Sequence, residues 1–307
     1  MKKTIGCISV LVLLWFVSPV MAGPGYTDTG KTVIVEVAEG TLSIIPLSGN
    51  AVRVKLTQSG SLPMEELIYV EEVPVPRYTV TENAAGIKIS LEHASVTLDK
   101  NDRTLHFKNT FGDTILREKV GGRSMYASSV HGEPAYSIEQ RFVSDKDEYL
   151  FGPGQFQDGY LNIRGLSRRL TQVNTQISIP FILSNKGYGL LWNNYGLTEF
   201  NPADNYIELA HAETETESVT VDATSTTSNT RETRSMYSFT GNLEVPVSGH
   251  YSLLLDVGQS MARKHYLSVD GMNLIDVTNI WLPPTTSVIV ELEAGMHKIE
   301  VQGDKND

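Results

Sequence analysis

Apolar and polar residues alternate with a period of two along most of this chain, and that pattern limits its fold more than any other feature. Val33, Val35 and Val37 alternate with Ile34 and Glu36, and Val52, Val54 and Leu56 with Arg53, Lys55 and Thr57. Ile87, Ile89 and Leu91 alternate with Lys88, Ser90 and Glu92. A period of two places every second side chain on one face, so these segments read as half-buried strands. Val96 and Leu98 lead into Asp99-Lys100-Asn101-Asp102-Arg103 and out through Leu105 and Phe107, a hairpin whose turn residues tolerate tight backbone geometry. No amphipathic helix longer than about three turns is legible. The fold class expected is all-β, with two sandwich domains.

Charge and cysteine content narrow the function. Lys and Arg number 25 against 36 Asp and Glu, a net charge of −11, and no basic run offsets it, which argues against a nucleic-acid partner. The single cysteine, Cys7, allows neither an intramolecular disulfide nor a thiolate zinc site. Cys7 also lies in an apparent export signal. Lys2 and Lys3 precede an apolar run from Ile5 to Val17, then Ser18-Pro19 and Val20-Met21-Ala22, the layout of a secretory signal peptide cleaved after Ala22. The alternative, an uncleaved anchor, is disfavoured because the run is shorter than the roughly 20 residues that a span needs. The expected mature protein is therefore secreted or periplasmic and bacterial, with a net charge of −13 once Lys2 and Lys3 are gone.

Composition shifts after the strand-like Tyr206 to Leu209. From Glu213 to Arg234 the chain is rich in Thr, Ser and Glu. A strand to about Ala223 followed by a linker over 224–234 is the reading adopted, with a solvated edge strand as the alternative. The expected domains are a first sandwich over 23–223 and a second over 235–307. Strands resume at Leu243 and Val245, Tyr251 to Val257, Tyr266 to Val269 before an Asp270-Gly271 turn, Val288 to Leu292, and Ile299 with Val301.

Generic catalytic signatures are missing: no nucleophile elbow, no His pair at helical metal-binding spacing and no phosphate loop. Histidines 93, 106, 131, 211, 250, 265 and 297 are scattered, so no metal or cofactor is expected. Gly152-Pro153-Gly154 superficially suggests a dinucleotide loop, but Gln157 stands where a third glycine would and no helix pattern follows.

Four ordered blocks carry a more specific message. Tyr149-Leu-Phe-Gly-Pro-Gly-Gln155, Leu161-Asn-Ile-Arg-Gly165, Leu170-Thr-Gln-Val-Asn-Thr-Gln-Ile-Ser-Ile-Pro-Phe181 and Ser184-Asn-Lys-Gly-Tyr-Gly-Leu-Leu-Trp-Asn-Asn194 resemble the N-terminal, galactose-mutarotase-like sandwich of glycoside hydrolase family 31, the family of α-glucosidases and α-xylosidases. Within them, Gly152, Gly154, Gly187 and Gly189 suit sharp turns or close backbone approach. Ile177, Ile179, Phe181 and Leu183 are expected to form a core strand, and Trp192 to fill the core. The resemblance implies that the loop between Gln172 and Gln176 faces the mouth of a catalytic barrel. Many relatives carry Asn followed by an acidic residue there. Here Asn174 is followed by Thr175, which leaves Gln172, Asn174 and Thr175 as the substrate-adjacent set and Asn174 as its best sugar contact. A turn-forming role for Asn174 is the alternative.

The second domain resembles the protective-antigen sandwich inserted in some carbohydrate-active enzymes, through Phe239-Thr-Gly, Val245-Pro-Val-Ser-Gly-His-Tyr251, Tyr266-Leu-Ser-Val-Asp-Gly271 and Glu293-Ala-Gly-Met-His-Lys-Ile-Glu-Val301. The adjacent aspartates with which some members bind calcium are missing, Asp256 being followed by Val257. Together the two domains look like the architecture of bacterial α-xylosidases that degrade xyloglucan.

The family resemblance implies a retaining mechanism, which uses two carboxylates about 5 Å apart on a (β/α)₈ barrel of about 250 residues. No such barrel is legible, so the expectation is a non-catalytic N-terminal portion of a larger α-xylosidase acting on xyloglucan oligosaccharides, or otherwise of an α-glucosidase, inactive alone, whose partners are the absent barrel and an α-linked oligosaccharide. The competing expectation is a complete, non-catalytic periplasmic carbohydrate-binding protein. Trp281, in Asn279-Ile-Trp-Leu-Pro-Pro284, precedes a proline pair that disfavours a central strand. It reads either as a sugar platform on a loop or as packing within its own sandwich.

Overall fold

The computed structural model describes residues 25–58, 67–68, 73–212, 217–224, 229–258, 264–277 and 283–303, with backbone alone for 217–224 and 229–236. The expected export signal, residues 1–22, lies outside the described residues, as does Trp281. No α-helix occurs among the described residues, and the chain divides into two compact units at 143/144.

The first unit is a sandwich of two antiparallel sheets. One meanders through β1 (Thr27–Asp28), β2 (Val33–Val37), β3 (Gly40–Ser48) and β4 (Ala51–Thr57). The other runs through β5 (Thr79–Glu82), β6 (Gly86–Ser90), β7 (Ala94–Asp99), β8 (Leu105–Asn109), β9 (Thr114–Val130) and β10 (Glu133–Phe142). Register explains the core. Val33 stands opposite Ile44 and Val35 opposite Leu42 in one sheet; Ile87 stands opposite Leu98 and Ile89 opposite Val96 in the other. These eight side chains and Leu105 form one buried cluster, so the alternation seen in sequence is the inward face of each sheet. The Asp99–Arg103 turn forms as expected: Arg103 adopts φ 63, and the Asp99 and Asp102 carboxylates accept the amides of Asn101 and Thr104.

The second unit begins with short strands: β11 (Leu150–Phe151), β12 (Gly154–Gln155), β13 (Arg168–Leu170), β14 (Ile177–Ser178), β15 (Phe181–Ser184), β16 (Tyr188–Leu191), β17 (Thr198–Phe200) and β18 (Ala210–His211). They pair as β11-β15-β16, β12-β14 and β13-β17. Longer strands follow: β19 (Glu217–Thr224), β20 (Asn229–Val245), β21 (Gly249–Asp256), β22 (His265–Val269), β23 (Met272–Val277), β24 (Thr285–Leu292) and β25 (Gly295–Gly303). One sheet has the order β18-β20-β25-β22-β23, with β19 also paired to β20, while β21 and β24 form a separate hairpin pair. Val245, Leu267, Val269, Ile275, Val277, Ile299 and Val301 of the large sheet pack with Val290 and Leu292 of β24. The Asp270-Gly271 turn forms with φ 50 and 80, which matches a tight hairpin.

Three expectations need correction. Residues 229–234 of the stretch read as linker are strand: β19 and β20 pair from Glu217↔Met236 to Thr224↔Asn229. Thr-rich composition favours an extended edge as readily as a linker, and here the ladder decided. Tyr206–Leu209, read as strand-like, is irregular and only Ala210–His211 pairs. Ile177, Ile179, Phe181 and Leu183 do not form a core strand; they are 37–51% exposed. Their neighbours on the other face decide this, because Ile182 packs on Leu150, Ile163 and Leu166 while Ser184 is buried against Glu148. Trp192 is half-buried.

Candidate functional site

Strand β13 delivers the chain into the loop at 171–176, and β14 carries it away. Val173 and Gln176 exchange both backbone hydrogen bonds, Val173 N to Gln176 O at 3.2 Å and Gln176 N to Val173 O at 3.3 Å. Asn174 and Thr175 are therefore the two residues that close a tight turn, so Asn174 does occupy a turn position. Gln172 and Asn174 are exposed and Thr175 is half-buried. The sequence brings these three candidates into one loop, and the structure keeps them there.

The Gly152-Pro153-Gly154 segment lies flush against the outgoing strand. Gly154 and Gln155 pair with Ser178 and Ile177, and the Ile179 amide donates to Pro153 O at 2.7 Å. A Cβ on Gly154 would stand 2.2 Å from Ile177 O, and one on Gly152 would stand 2.4 Å from Phe181 O. Only glycine permits that approach, and both have φ in the left-handed region, at 128° and 119°. Of the glycines read in sequence as suiting sharp turns or close backbone approach, Gly152 and Gly154 are close approaches here.

Side chains not singled out in sequence complete the loop. Gln157 Nε2 donates to Thr175 O at 3.1 Å, at the turn itself. Gln176, 5% exposed, donates its Nε2 to Thr171 O at 2.8 Å and closes the loop from inside. Arg168 is buried, with Nη1 on Gly152 O at 3.1 Å and Nη2 on the Asp158 carboxylate at 2.7 and 2.5 Å. Its guanidinium carbon lies 4.1 Å from the centroid of the Phe156 ring. The available signal was the Arg168-Arg169 pair set between two motif blocks, in strand context, immediately before the loop.

Arg169 points elsewhere. It pairs with Glu199 at 2.9 Å and with Asp256 of β21 at 2.5 Å. Burial opposes its charge, but hydrogen bonds and attraction from the two carboxylates prevail and raise its pKa above the ordinary arginine value. Next to it, Ser167 N donates to Ser252 Oγ at 2.9 Å, Ser287 Oγ donates to Ser167 O, and Ile289 N donates to Tyr160 Oη at 2.9 Å. The β21–β24 pair thus grips the segment that enters the loop.

This arrangement offers neutral amide and hydroxyl groups at an exposed turn, held by a charged pair underneath. An asparagine amide can both donate to and accept from sugar hydroxyls. Asp158, the carboxylate of the cluster, is engaged on both oxygens by Arg168. Among the described residues, no three His, Cys, Asp or Glu side chains come together as a metal site.

The model of the glycosyl hydrolase 31 N-terminal galactose mutarotase-like domain matches residues 41–201, more than half of the chain and the whole of this loop cluster. The chain belongs to glycosyl hydrolase family 31. Over 71 residues this family 31 chain is 44% identical to an uncharacterized family 31 glucosidase of Pseudescherichia vulneris, covering 23% of the chain and 13% of that relative. It is 45% identical over 71 residues to an α-xylosidase of Saccharolobus solfataricus, covering 20% and 10% respectively. The family 31 α-xylosidase structure from Xanthomonas citri superimposes with a TM-score of 0.69 at 22% identity, over 91% of this chain and 34% of that one, a likeness of fold. A soil-metagenome family 31 α-xylosidase complexed with xylose matches with a TM-score of 0.51 at 26% identity, over 57% of this chain and 28% of that one. This family 31 chain thus corresponds to about a third or less of each of these relatives.

Proposed function

We propose that this chain is the non-catalytic N-terminal portion of an exported bacterial family 31 α-glycoside hydrolase, an α-xylosidase acting on xyloglucan-derived oligosaccharides. The observation that carries the reading is the Asn174-Thr175 turn: an exposed, neutral polar tip on a firmly held base, inside the segment that matches the family model. In this reading the turn contributes Asn174 to sugar binding, and bond cleavage belongs to paired carboxylates on a barrel that this chain does not supply. The choice of xylose over glucose is supported by the α-xylosidases among its relatives. Export is supported by the Lys2-Lys3 start and the apolar run that follows. The second sandwich is assigned to the protective-antigen type on its motifs from Val245 to Tyr251 and from Glu293 to Val301.

The purified chain should leave aryl α-xylosides and α-glucosides intact, and turnover by it would overturn the non-catalytic reading. In the whole enzyme, Asn174→Ala should raise KM for the xyloside about fivefold, the effect of losing one neutral hydrogen bond. An unchanged KM would remove the turn from the sugar site.

A further inference from the structure

Among the described residues, Arg168 directs the contacts of its two terminal nitrogens and its guanidinium face to one short segment. Gly152 O, both Asp158 oxygens and the Phe156 ring all belong to residues 152–158. The side chain is 3% exposed and that of Asp158 is 13% exposed. Withdrawing two charges from water costs several kcal/mol, and pairing them does little more than repay it. Such a pair is a poor device for stability, yet it fixes geometry well, because a planar guanidinium can bind a carboxylate through two contacts, donate to a carbonyl and stack on a ring at once.

The fixed segment reaches the turn through Gln157. Gln157 lies between Phe156, on which Arg168 stacks, and Asp158, which Arg168 binds, and its Nε2 donates to Thr175 O. The base of the loop has its own backbone ladder, Gly154↔Ser178 and Gln155↔Ile177, with Ile179 N on Pro153 O. The ladder stops short of the tip. At the tip, Val173 and Gln176 exchange their two backbone bonds, and the Gln157 side chain adds a bond to the Thr175 carbonyl between them.

We infer that Arg168 and Gln157 are positioning residues for the Asn174-Thr175 turn, Arg168 by locking residues 152–158 and Gln157 by carrying that rigidity to Thr175 O. The inference rests on the reading of the turn as sugar-adjacent only where it concerns substrate; the mechanical part stands on the chain itself. Lysine cannot replace Arg168, since an ammonium has neither the fork nor the stacking face.

Two measurements separate the parts. Amide hydrogen exchange on the chain should show Val173 and Gln176 exchanging about fivefold faster in Gln157→Ala, as expected for one lost hydrogen bond, with Leu42 and Leu98 unchanged. The paired replacement Arg168→Met with Asp158→Leu removes both charges at once and so keeps the fold accessible; it should speed the same two amides. Unchanged exchange at Val173 and Gln176 in both variants would overturn the inference. In the whole enzyme, Gln157→Ala should raise KM with a much smaller change in kcat, and Asn174→Ala combined with Gln157→Ala should cost no more than Asn174→Ala alone, because both act through one contact. An effect of Asn174→Ala on KM that Gln157→Ala does not share would also overturn it. Faster exchange with no effect of Asn174→Ala on KM would leave the brace standing and remove the sugar-site reading instead.

Discussion

In most strands from Val33 to Phe107 the alternating apolar residues point inward, Val54 of β4 at 36% exposure being the exception, and Val33, Leu42, Ile44, Ile89, Leu98 and Leu105 are all fully buried. In the stretch from 148 to 200 the same alternation points outward at Ile177, Ile179, Phe181 and Leu183, while Glu148, Arg168 and Gln176 are buried. The first region is held by aliphatic packing between two sheets and the second by specific polar contacts around short strands. Aliphatic packing tolerates exchange among side chains of similar volume, whereas a hydrogen-bonded charge fixes direction. A loop that must present particular atoms belongs on the second kind of support.

The largest expected effect breaks the first region. Ile44→Ala should lower the unfolding free energy by about 2–5 kcal/mol, because the residue is enclosed by both sheets and the cavity cannot collapse fully. Urea unfolding of this variant would show it, and a change under about 1 kcal/mol would mean that the sandwich core is looser than its register implies.

An intermediate effect tests the polar support. Burial pushes the pKa of Glu148 up, but hydrogen bonds from the hydroxyls of Ser184, Tyr188 and Ser144 outweigh it and hold the carboxyl below its ordinary 4.5. Burial and the Glu148 charge in turn raise the pKa of the Tyr188 hydroxyl. A carboxyl whose folded pKa is depressed adds stability that is fully present above the unfolded value and is lost as pH falls through the folded one. Glu148→Gln should therefore cost about 1–3 kcal/mol at neutral pH and flatten the loss of stability below about pH 4.5. Urea titrations of both proteins across that range check it; parallel pH profiles would show that Glu148 is not a stabilising anion.

The smallest effect is the sharpest contrast. Leu183→Ser, on an outward-facing position 51% exposed, should change the stability of the isolated chain by no more than about 0.5 kcal/mol. A loss as large as that of Ile44→Ala would show that this face is covered in solution and that the two regions are alike after all.

Strand positions in the first sandwich were legible because each alternation there has one buried face, and a slip of one residue would turn it to water. The Asp99–Arg103 and Asp270-Gly271 turns were legible from residues that tolerate left-handed backbone. The loop at 172–176 was found through the family blocks, and its turn closes on Asn174-Thr175. Residues 229–234 were misread as linker because Thr and Ser are common to linkers and edge strands, and composition does not show that they pair with β19.

The sequence by itself determined that the chain is all-β, that Gly152 and Gly154 mark a sharp turn or a close backbone approach, and which family the chain joins, since these follow from local period, glycine and ordered motifs. Tertiary structure alone decided which face of Ile177–Leu183 is outward, that Arg168 binds Asp158 while Arg169 binds Asp256, and that Gln157 reaches Thr175. The physical reason is the same in each case. A period of two states that two faces differ but not which one meets a partner, and two adjacent arginines on a strand point to opposite sides, where carboxylates 10 and 87 residues away determine what each one does.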